Sequence, residues 1–584
     1  MKKNIFWFSK AFLACAPLSV ISCANVKETS AWGDEKFYKE FGKLTYSEDD
    51  EKARFIAPFS KTEKTSSVIY QVLVYAFADG NNDGIGDFIG LKNNLDYFSN
   101  LGIDQLYLSP IHPASSYHGY DVIDYTDVAE ELGGKEAFNE FLIEAHKRGI
   151  KVYLDLIFNH TSFEHPWFQK ALSGDQKYQN FYRFYDTKIA DTNQDTEELR
   201  NLFPNLKNKQ ATNKYYTSKF WAGMPDLNLD NPEVIKELKH IQSYWTKLGV
   251  DGFRYDAFVE FFSSERETKN NYNESKIFYE LREASNEALK SINRDQEIFM
   301  MGEWWNDTLS AKEYLSFDNQ KALGTVYDGQ HWKNNWFVTI DNEELKKYLK
   351  QINEELNTIW VPFLTNHDVD RWINSYRLSV GEEPLQVGDL DKPLREKDIE
   401  AIKNAYFYLL VMPATPIIYH GDELMLHANK KFGDSGMREP FKWKDYSKKV
   451  EFKERKNPND IIKINFSIDT PFVEEQVTNN NSVYSTIKFL LNFRKEHNFM
   501  YSQNLQTIGN ASEYIEEASD NTIVRQSIDG SEKYLFINSL GDAREKNFKI
   551  KNNNQFEVIY NKDAKIENNT IKIEKQGMII LKIK

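Results

Sequence analysis

From Val68 onward the chain alternates short apolar runs with longer amphipathic stretches, a rhythm that few folds accommodate over so great a length. The runs are Val68–Phe77, Ile103–Leu108, Val152–Ile157, Val250–Arg254, Ile298–Gly302, Ile359–Leu364 and Thr415–Tyr419. Between them lie helix-like segments such as Lys135–Arg148 and Pro232–Leu248, the second with proline in a first helical turn. Alternation of this kind predicts β-α units on a parallel sheet. A closed (β/α)8 barrel takes about 250 residues, about 30 per unit. Glu303 and Asp368, 65 residues apart, fit two units, whereas Asp155 and Asp256 are 101 apart where one unit is expected. The excess predicts an insertion of roughly 60–70 residues after the third strand, from Thr161 to Met224 (a domain at about 161–225). After about residue 505, short alternating runs such as Thr522–Gln526, Tyr534–Ile537 and Met578–Ile583 lie between Asn/Asp/Gly turns. They predict a C-terminal antiparallel β-sandwich domain over 505–584, behind a barrel over 66–504.

Ahead of the barrel the texture differs. Met1-Lys2-Lys3-Asn4 is basic, Ile5–Ile21 is mostly apolar, and Val20-Ile21-Ser22-Cys23 ends the stretch. Its uninterrupted core is shorter than the ~20 residues of a spanning helix, so residues 1–22 read as a secretory signal. The pattern resembles a bacterial lipoprotein signal, which implies lipidation of Cys23 and a place on the outer face of the plasma membrane. The other cysteine, Cys15, lies within the signal, so the mature chain is expected to hold no disulfide, and a core this large needs none. Residues 23–65, polar and without clear periodicity, read as a tether. A net charge of −15 argues against nucleic acid as a partner, because phosphate-backbone binding needs a basic footprint.

Polar and acidic residues stand just beyond several apolar runs: Asp155–His160, Arg254-Tyr255-Asp256, Gly302-Glu303 and Asn366-His367-Asp368. In a parallel barrel these strand ends open on one face, where the chemistry of such a fold collects. A carboxylate after one strand is often only a helix cap, but four such segments in order are not explained that way. A separate run, Asp79-Gly80-Asn81-Asn82-Asp83-Gly84-Ile85-Gly86-Asp87, sets oxygen donors at positions 1, 3, 5 and 9, with the Ile85 carbonyl at 7. That is calcium-loop spacing, although Gly90 replaces the bidentate Glu at position 12 and excludes a full EF-hand. Hard oxygen donors without thiolate favour Ca²⁺ or Mg²⁺ over zinc.

The four strand-end segments resemble, in order, the signature regions of the α-amylase superfamily, glycoside hydrolase family thirteen, whose barrel is of the TIM type. Met224-Pro225-Asp226-Leu227-Asn228 and Thr415–Glu423 extend the resemblance, which covers roughly residues 66–500. It implies that Asp256 is the nucleophile, Glu303 the acid/base and Asp368 the carboxylate that stabilises the transition state. Retaining hydrolysis needs two carboxyls about 5–5.5 Å apart. Neighbouring strands lie about 4.8 Å apart, which suits Asp256 and Glu303 on strands four and five. Arg254, two residues before Asp256, points to the same side and is expected to keep that carboxyl ionised. Trp304 and Trp305 are expected to supply the apolar wall that a general acid needs. The resemblance further implies that His118, His160 and His367 hydrogen-bond sugar hydroxyls and that Tyr120 stacks on the glucosyl ring. It also implies a structural Ca²⁺ held by Asp79, Asn81, Asp83, Ile85 and Asp87, as in one branch of the family.

Branch signals are mixed. Tyr117-His118-Gly119-Tyr120 resembles endo-acting amylases, and Ala257 is unlike the Val of α-1,6-specific glucosidases. Val259-Glu260 stands where many amylases carry Lys-His facing the aglycone sugars. The expected activity is endo-hydrolysis of α-1,4-glucans or maltooligosaccharides. Exo-glucosidase or transglycosylase action within the family is the alternative. A transporter heavy subunit is disfavoured by the retained carboxylates, and a glycan adhesin would bind sugar without turnover.

Overall fold

The structure, a computed structural model, describes residues 43–55, 64–185, 199–205, 210–262, 269–334, 342–385, 394–428, 430, 433–451, 453, 470–519, 521–540, 545–552 and 554–584. Cys23 lies outside the described residues.

Eight parallel strands form the central sheet: β1 (Ile69–Val72), β2 (Gln105–Leu108), β3 (Lys151–Leu156), β4 (Gly252–Tyr255), β5 (Phe299–Gly302), β6 (Thr325–Asp328), β7 (Val361–Pro362) and β8 (Ile417–Tyr419). Each pairs with its neighbour in sequence from β1 to β7, and β8 pairs with β1. A parallel bridge between Phe363 and Ile417 joins the seventh strand to the eighth and closes the cylinder. The strand that sequence pattern alone does not announce is β6, Thr-Val-Tyr-Asp, too short and too polar to stand out. Register fixes which side chains fill the interior. Gly252 pairs with Tyr153 on one side and Phe299 on the other, and those two rings stack 4.7 Å apart. A Cβ at Gly252 would fall 2.7 Å from Phe299 Cβ and 2.8 Å from Tyr153, so only glycine lets the rings meet there.

The helices obey local chemistry. Pro232–Leu248 begins where the Asn231 side chain accepts the Glu233 N–H and ends at Gly249, whose φ of 117° no side-chain-bearing residue adopts cheaply. After β3 the chain leaves for the insertion: helices Pro166–Leu172 and Gln176–Gln179, then an antiparallel three-stranded sheet of Phe184–Tyr185, Leu199–Asn205 and Gln210–Ser218. It is tied back through bridges His160–Asp226 and Tyr182–Leu227.

Residues 43–55 are not the free tether expected of 23–65. Tyr46 is fully buried, its N–H on Glu237 (2.8 Å) and its hydroxyl on His165 (3.0 Å). The short helix Ser47–Lys52 lies against Pro232–Leu248, where Asp50 meets Ser243, His240 and Lys247 at 2.7, 3.0 and 2.7 Å. One buried tyrosine and one buried aspartate in a polar stretch leave no periodicity to read.

The C-terminal domain is antiparallel: its six strands, from Ile508–Gly509 to Thr570–Ile583, hydrogen-bond into one sheet. Alternate residues divide between two cores. Ile523, Tyr534, Phe536, Met578 and Ile580 join the barrel's core, whereas Val524, Leu535, Ile537, Ile579 and Leu581 pack with Phe548, Ile571 and Ile573 from the other half of the sheet. The sandwich-like interior is thus closed by two halves of a single sheet. Arg525, fully buried, seals the junction by donating to the carbonyls of Val411, Phe499, Ser502 and Thr507.

Candidate active site

The catalytic candidates gather at the C-terminal ends of the barrel strands, around a cavity of about 500 Å³. Its lining includes Asp256, Glu303 and Asp368, together with His118, Tyr120, His160 and His367. Arg254 lies beneath them, fully buried. Its Nη1 meets Asp155 Oδ1 and Oδ2 (2.8 and 2.9 Å) and Asp256 Oδ1 (2.7 Å), and its Nη2 meets Glu303 Oε2 (3.0 Å) and the Tyr327 hydroxyl (3.1 Å). Two carboxylates held on the two ends of one guanidinium are necessarily side by side. The backbone reinforces the pair: the Asp256 N–H reaches the Leu156 carbonyl (3.0 Å), and the Glu303 N–H reaches that of Tyr255 (3.1 Å). Ala257, at a left-handed φ of 44°, turns its N–H onto Glu303 Oε2 (2.7 Å). A non-glycine residue in that region costs of order 1 kcal/mol, here offset by a bond to the neighbouring carboxylate.

The electrostatics depart from the sequence expectation. Burial pushes the Asp256 carboxyl well above its ordinary range, Arg254 opposes the shift, and Glu303 and Asp155 add to it. Arg254 thus offsets only part of the cost of burying Asp256, because it is shared with two other carboxylates. Asp368 goes the other way: burial would raise it, but His367, Arg438 and Arg254 hold it well below the usual carboxylate range. His367 Nε2 is 2.9 Å from Asp368 Oδ2, and Arg438 Nη2 is 3.1 Å from Oδ1.

The two tryptophans do not form the expected apolar wall. Trp305 presents its indole N–H to Glu303 Oε1 (3.1 Å), a polar contact. Trp304 turns into the protein, where its N–H reaches the Asp307 carbonyl (2.9 Å) and its ring packs near Phe258 and Tyr314.

The remaining candidates interlock. Gln71 Nε2 lies 2.8 Å from His367 Nδ1, so the ring is held with Nε2 toward Asp368. The Tyr120 hydroxyl bonds the same Nε2 and donates to Asp155 Oδ2 (3.2 Å), and its ring lies nearly parallel to His367, 5.5 Å away. His160 lines the cavity, but its Nε2 lies on the Tyr120 carbonyl (3.1 Å), and burial lowers it to about 4, so the ring stays neutral. His118 is held by Ser116 (2.8 Å) and accepts the Tyr120 N–H at Nδ1 (3.2 Å). Gln71, Tyr327 and Arg438 escaped sequence reasoning because their partners are distant in the chain and no local motif marks them. Phe220 and Trp221 also line the cavity. The signal that could have found them is two adjacent aromatics just ahead of Met224–Asn228.

The Asp79–Asp87 run forms the compact loop expected, with its oxygens turned onto its own backbone. Asp79 accepts the N–H groups of Asn81, Asn82 and Gly84, Asn81 that of Asp83, Asp83 that of Ile85, and Asp87 those of Gly80 and Gly90. Among the described residues no three acidic, imidazole or thiol side chains converge closely enough to hold a metal ion as they stand. Asp87 Oδ2, however, is buried without a hydrogen-bond partner, and burial pushes that carboxyl up to about 6. A buried carboxylate oxygen left unpaired, in a loop of oxygen donors only, fits a hard cation.

This arrangement has relatives. Residues 71–503 match the alpha-amylase catalytic domain family. Alpha-amylase 3 of Dictyoglomus thermophilum is 30% identical over 552 residues, 91% of this chain and 95% of that protein. The oligo-1,6-glucosidase of Parageobacillus thermoglucosidasius is 28% identical over 494 residues, 74% of this chain and 84% of that one. The crystal structure of an alpha-amylase from H. orenii matches with a TM-score of 0.66 at 25% identity, over 88% of this chain and 99% of that one. With a family match spanning most of its length and a closed barrel carrying acids at its strand ends, the chain belongs to the α-amylase family of glycosidases, glycoside hydrolase family thirteen.

Proposed function

We propose that the chain is a retaining, endo-acting hydrolase of α-1,4-glucans and maltooligosaccharides. The observation that carries this reading is the shared grip of Arg254 on Asp256 and Glu303 at the floor of an accessible cavity. Arg254 engages Asp256 Oδ1 and leaves the other oxygen for the anomeric carbon. As Asp256 attacks, Glu303 passes a proton to the departing glycosidic oxygen, and a glucosyl ester forms on Asp256. Water then gives a proton to Glu303 and displaces the ester, with retention of configuration. Asp368, held charged by His367 and Arg438, faces the positive charge that grows on the ring in both transition states. The half-exposed Phe220 and Trp221 favour a cleft that takes sugars on both sides of the scissile bond.

Maltoheptaose and starch are expected to give mixed oligosaccharides at early times, and Asp256→Asn is expected to lose at least ~10³-fold in kcat while folding normally. Glucose alone from the start would favour an exo-glucosidase instead, and a fully active Asp256→Asn would overturn the assignment.

Asp155 supplies part of the charge that raises Asp256. Asp256 must be ionised to attack, so its raised value sets the acid limb of the kcat/KM profile. Asp155→Asn removes one negative neighbour and frees Arg254, and is expected to move that limb to lower pH by about half a unit to one unit. A limb that stays in place or moves upward would contradict the role given to this cluster.

We read the Asp79–Asp87 loop as a structural Ca²⁺ site, held by the side chains of Asp79, Asn81, Asp83 and Asp87 and the carbonyl of Ile85. Saturating Ca²⁺ is then expected to stabilise the fold by about 2–3 kcal/mol over chelated protein, seen as a rise in Tm, and Asp87→Asn to abolish the response. Equal Tm with Ca²⁺ and with chelator would refute the site.

We also read the chain as a lipoprotein anchored through Cys23. Membrane fractionation checks this, with Cys23→Ser expected to release the protein to the soluble fraction.

A further inference from the structure

The Glu303 carboxyl must carry a proton before a glycosidic bond breaks, yet among the described residues every group bonded to it is a donor. Oε2 accepts the Ala257 N–H (2.7 Å) and faces the Arg254 guanidinium (3.0 Å). Oε1 accepts the indole N–H of Trp305 (3.1 Å). None of the three can take a hydrogen bond in return, because backbone N–H, guanidinium and indole nitrogen only donate. A proton on Oε2 would be set against an N–H and a positive charge at once. Oε1 has one donor for two lone pairs, so one lone pair stays open, and the proton belongs there.

The indole is held in that place from several sides. Its ring meets Tyr327, Trp332 and Phe363 edge to face, at centroid distances of 6.1, 6.4 and 6.4 Å. Tyr327 and Phe363 are buried and cluster with Ile69, Tyr107 and Met301 from other barrel strands. Gly329 lies against the backbone of the pair: a Cβ there would fall 2.6 Å from Trp305 Cα and 2.8 Å from the Trp304 carbonyl oxygen. The Gly329 N–H closes on that same oxygen (3.2 Å). Trp305 lines the cavity together with Glu303, so its contact with Oε1 stands at the wall that a sugar meets.

We propose that the Trp305 indole N–H fixes the acid proton on the open lone pair of Glu303 Oε1 and stabilises the charge left there when the proton departs. The inference rests on the retaining mechanism above. In the first step the Oε1–H bond breaks as the proton joins the departing oxygen, the bond from that oxygen to the anomeric carbon breaks, and Asp256 bonds to the same carbon. Negative charge grows on Oε1 throughout, and the indole N–H already points at it. A hydrogen bond to an ionised acceptor is roughly twice as strong as one to a neutral acceptor, so Trp305 holds the transition state more tightly than the ground state. Arg254 and Ala257 favour the same charge from Oε2, but neither bonds the oxygen that releases the proton. When water later gives up a proton, it returns to the same lone pair. Trp305 acts through Glu303 and is a positioning residue.

Leaving groups that differ in their need for a proton separate this role from a packing one. Fluoride leaves α-maltotriosyl fluoride with little protonation, whereas phenoxide leaves phenyl α-maltotrioside only with it. The two substrates share their sugar, and for both kcat/KM reports formation of the glycosyl ester alone. Trp305→Phe is expected to raise the fluoride-to-phenyl ratio of kcat/KM about tenfold or more, the lower range of one hydrogen bond to a charged group. Replacing Trp305 by 3-benzothienylalanine, which keeps the bicyclic ring and puts sulfur where the N–H stands, is expected to raise it as far. A merely loosened site would lower both values together. An unchanged ratio in the benzothienyl variant, whether or not both values fall, overturns the role of the N–H alone. A first product of β configuration from the unaltered protein, or no turnover of either substrate, ends the retaining reading, and this role with it.

Discussion

The site depends on one fully buried guanidinium. Arg254 holds Asp155 from β3, Asp256 at the end of β4, Glu303 at the end of β5 and Tyr327 from β6, so a single planar group sets the spacing of four adjacent strand ends. A buried cation is costly unless its partners are well placed, and here three carboxylates and a hydroxyl surround it. Lysine could not substitute, because a single ammonium lacks the fork that reaches partners on two sides at once. The relative positions of Asp256 and Glu303 are therefore a property of the barrel's upper layer. The same crowding explains why Asp256 and Asp368 are driven apart in proton affinity. One shares its cation with two other acids, and the other has His367 and Arg438 close by.

The insertion extends this rigidity outward. It is sewn to the end of β3 by the His160–Asp226 bridge, and Asp226 in turn fixes the backbone of Lys219. Burial pushes Asp226 up to about 7, yet it accepts two bonds from one N–H and another from Asn159 (3.3 Å). His160, which lines the cavity, also braces this junction: it supports Phe220 on one side and bonds Tyr120 on the other. Two walls of the cavity that belong to different parts of the chain are thereby held in register by a neutral imidazole.

Much of this was legible from residues alone, for physical reasons. Strands buried on both faces tend to be apolar, so seven of the eight announce themselves; β6 escapes because it contributes Thr325, whose hydroxyl donates to the Ile359 carbonyl, and Tyr327, which serves Arg254. The acids were visible because a carboxylate after an apolar run has few structural reasons to be there. Contacts made across the barrel leave no trace in local sequence, which hid Gln71 and Arg438. The orientation of Trp304 and Trp305 was equally hidden: adjacent residues leaving a strand point opposite ways, so only one could reach Glu303, and it did so with its polar edge. The expectation of a loose leader failed at Tyr46 and Asp50, where two side chains in an otherwise hydrophilic stretch suffice to fasten it.

That fastening has a mechanical consequence. Tension on the chain ahead of Lys43 would load the contacts of Tyr46 and Asp50 with the helix Pro232–Leu248 in shear, with several bonds sharing the force at once. The Tyr46 hydroxyl carries part of that load to His165, at the start of the insertion. Drag on the leader is thus divided between the flank of the barrel and the base of the insertion.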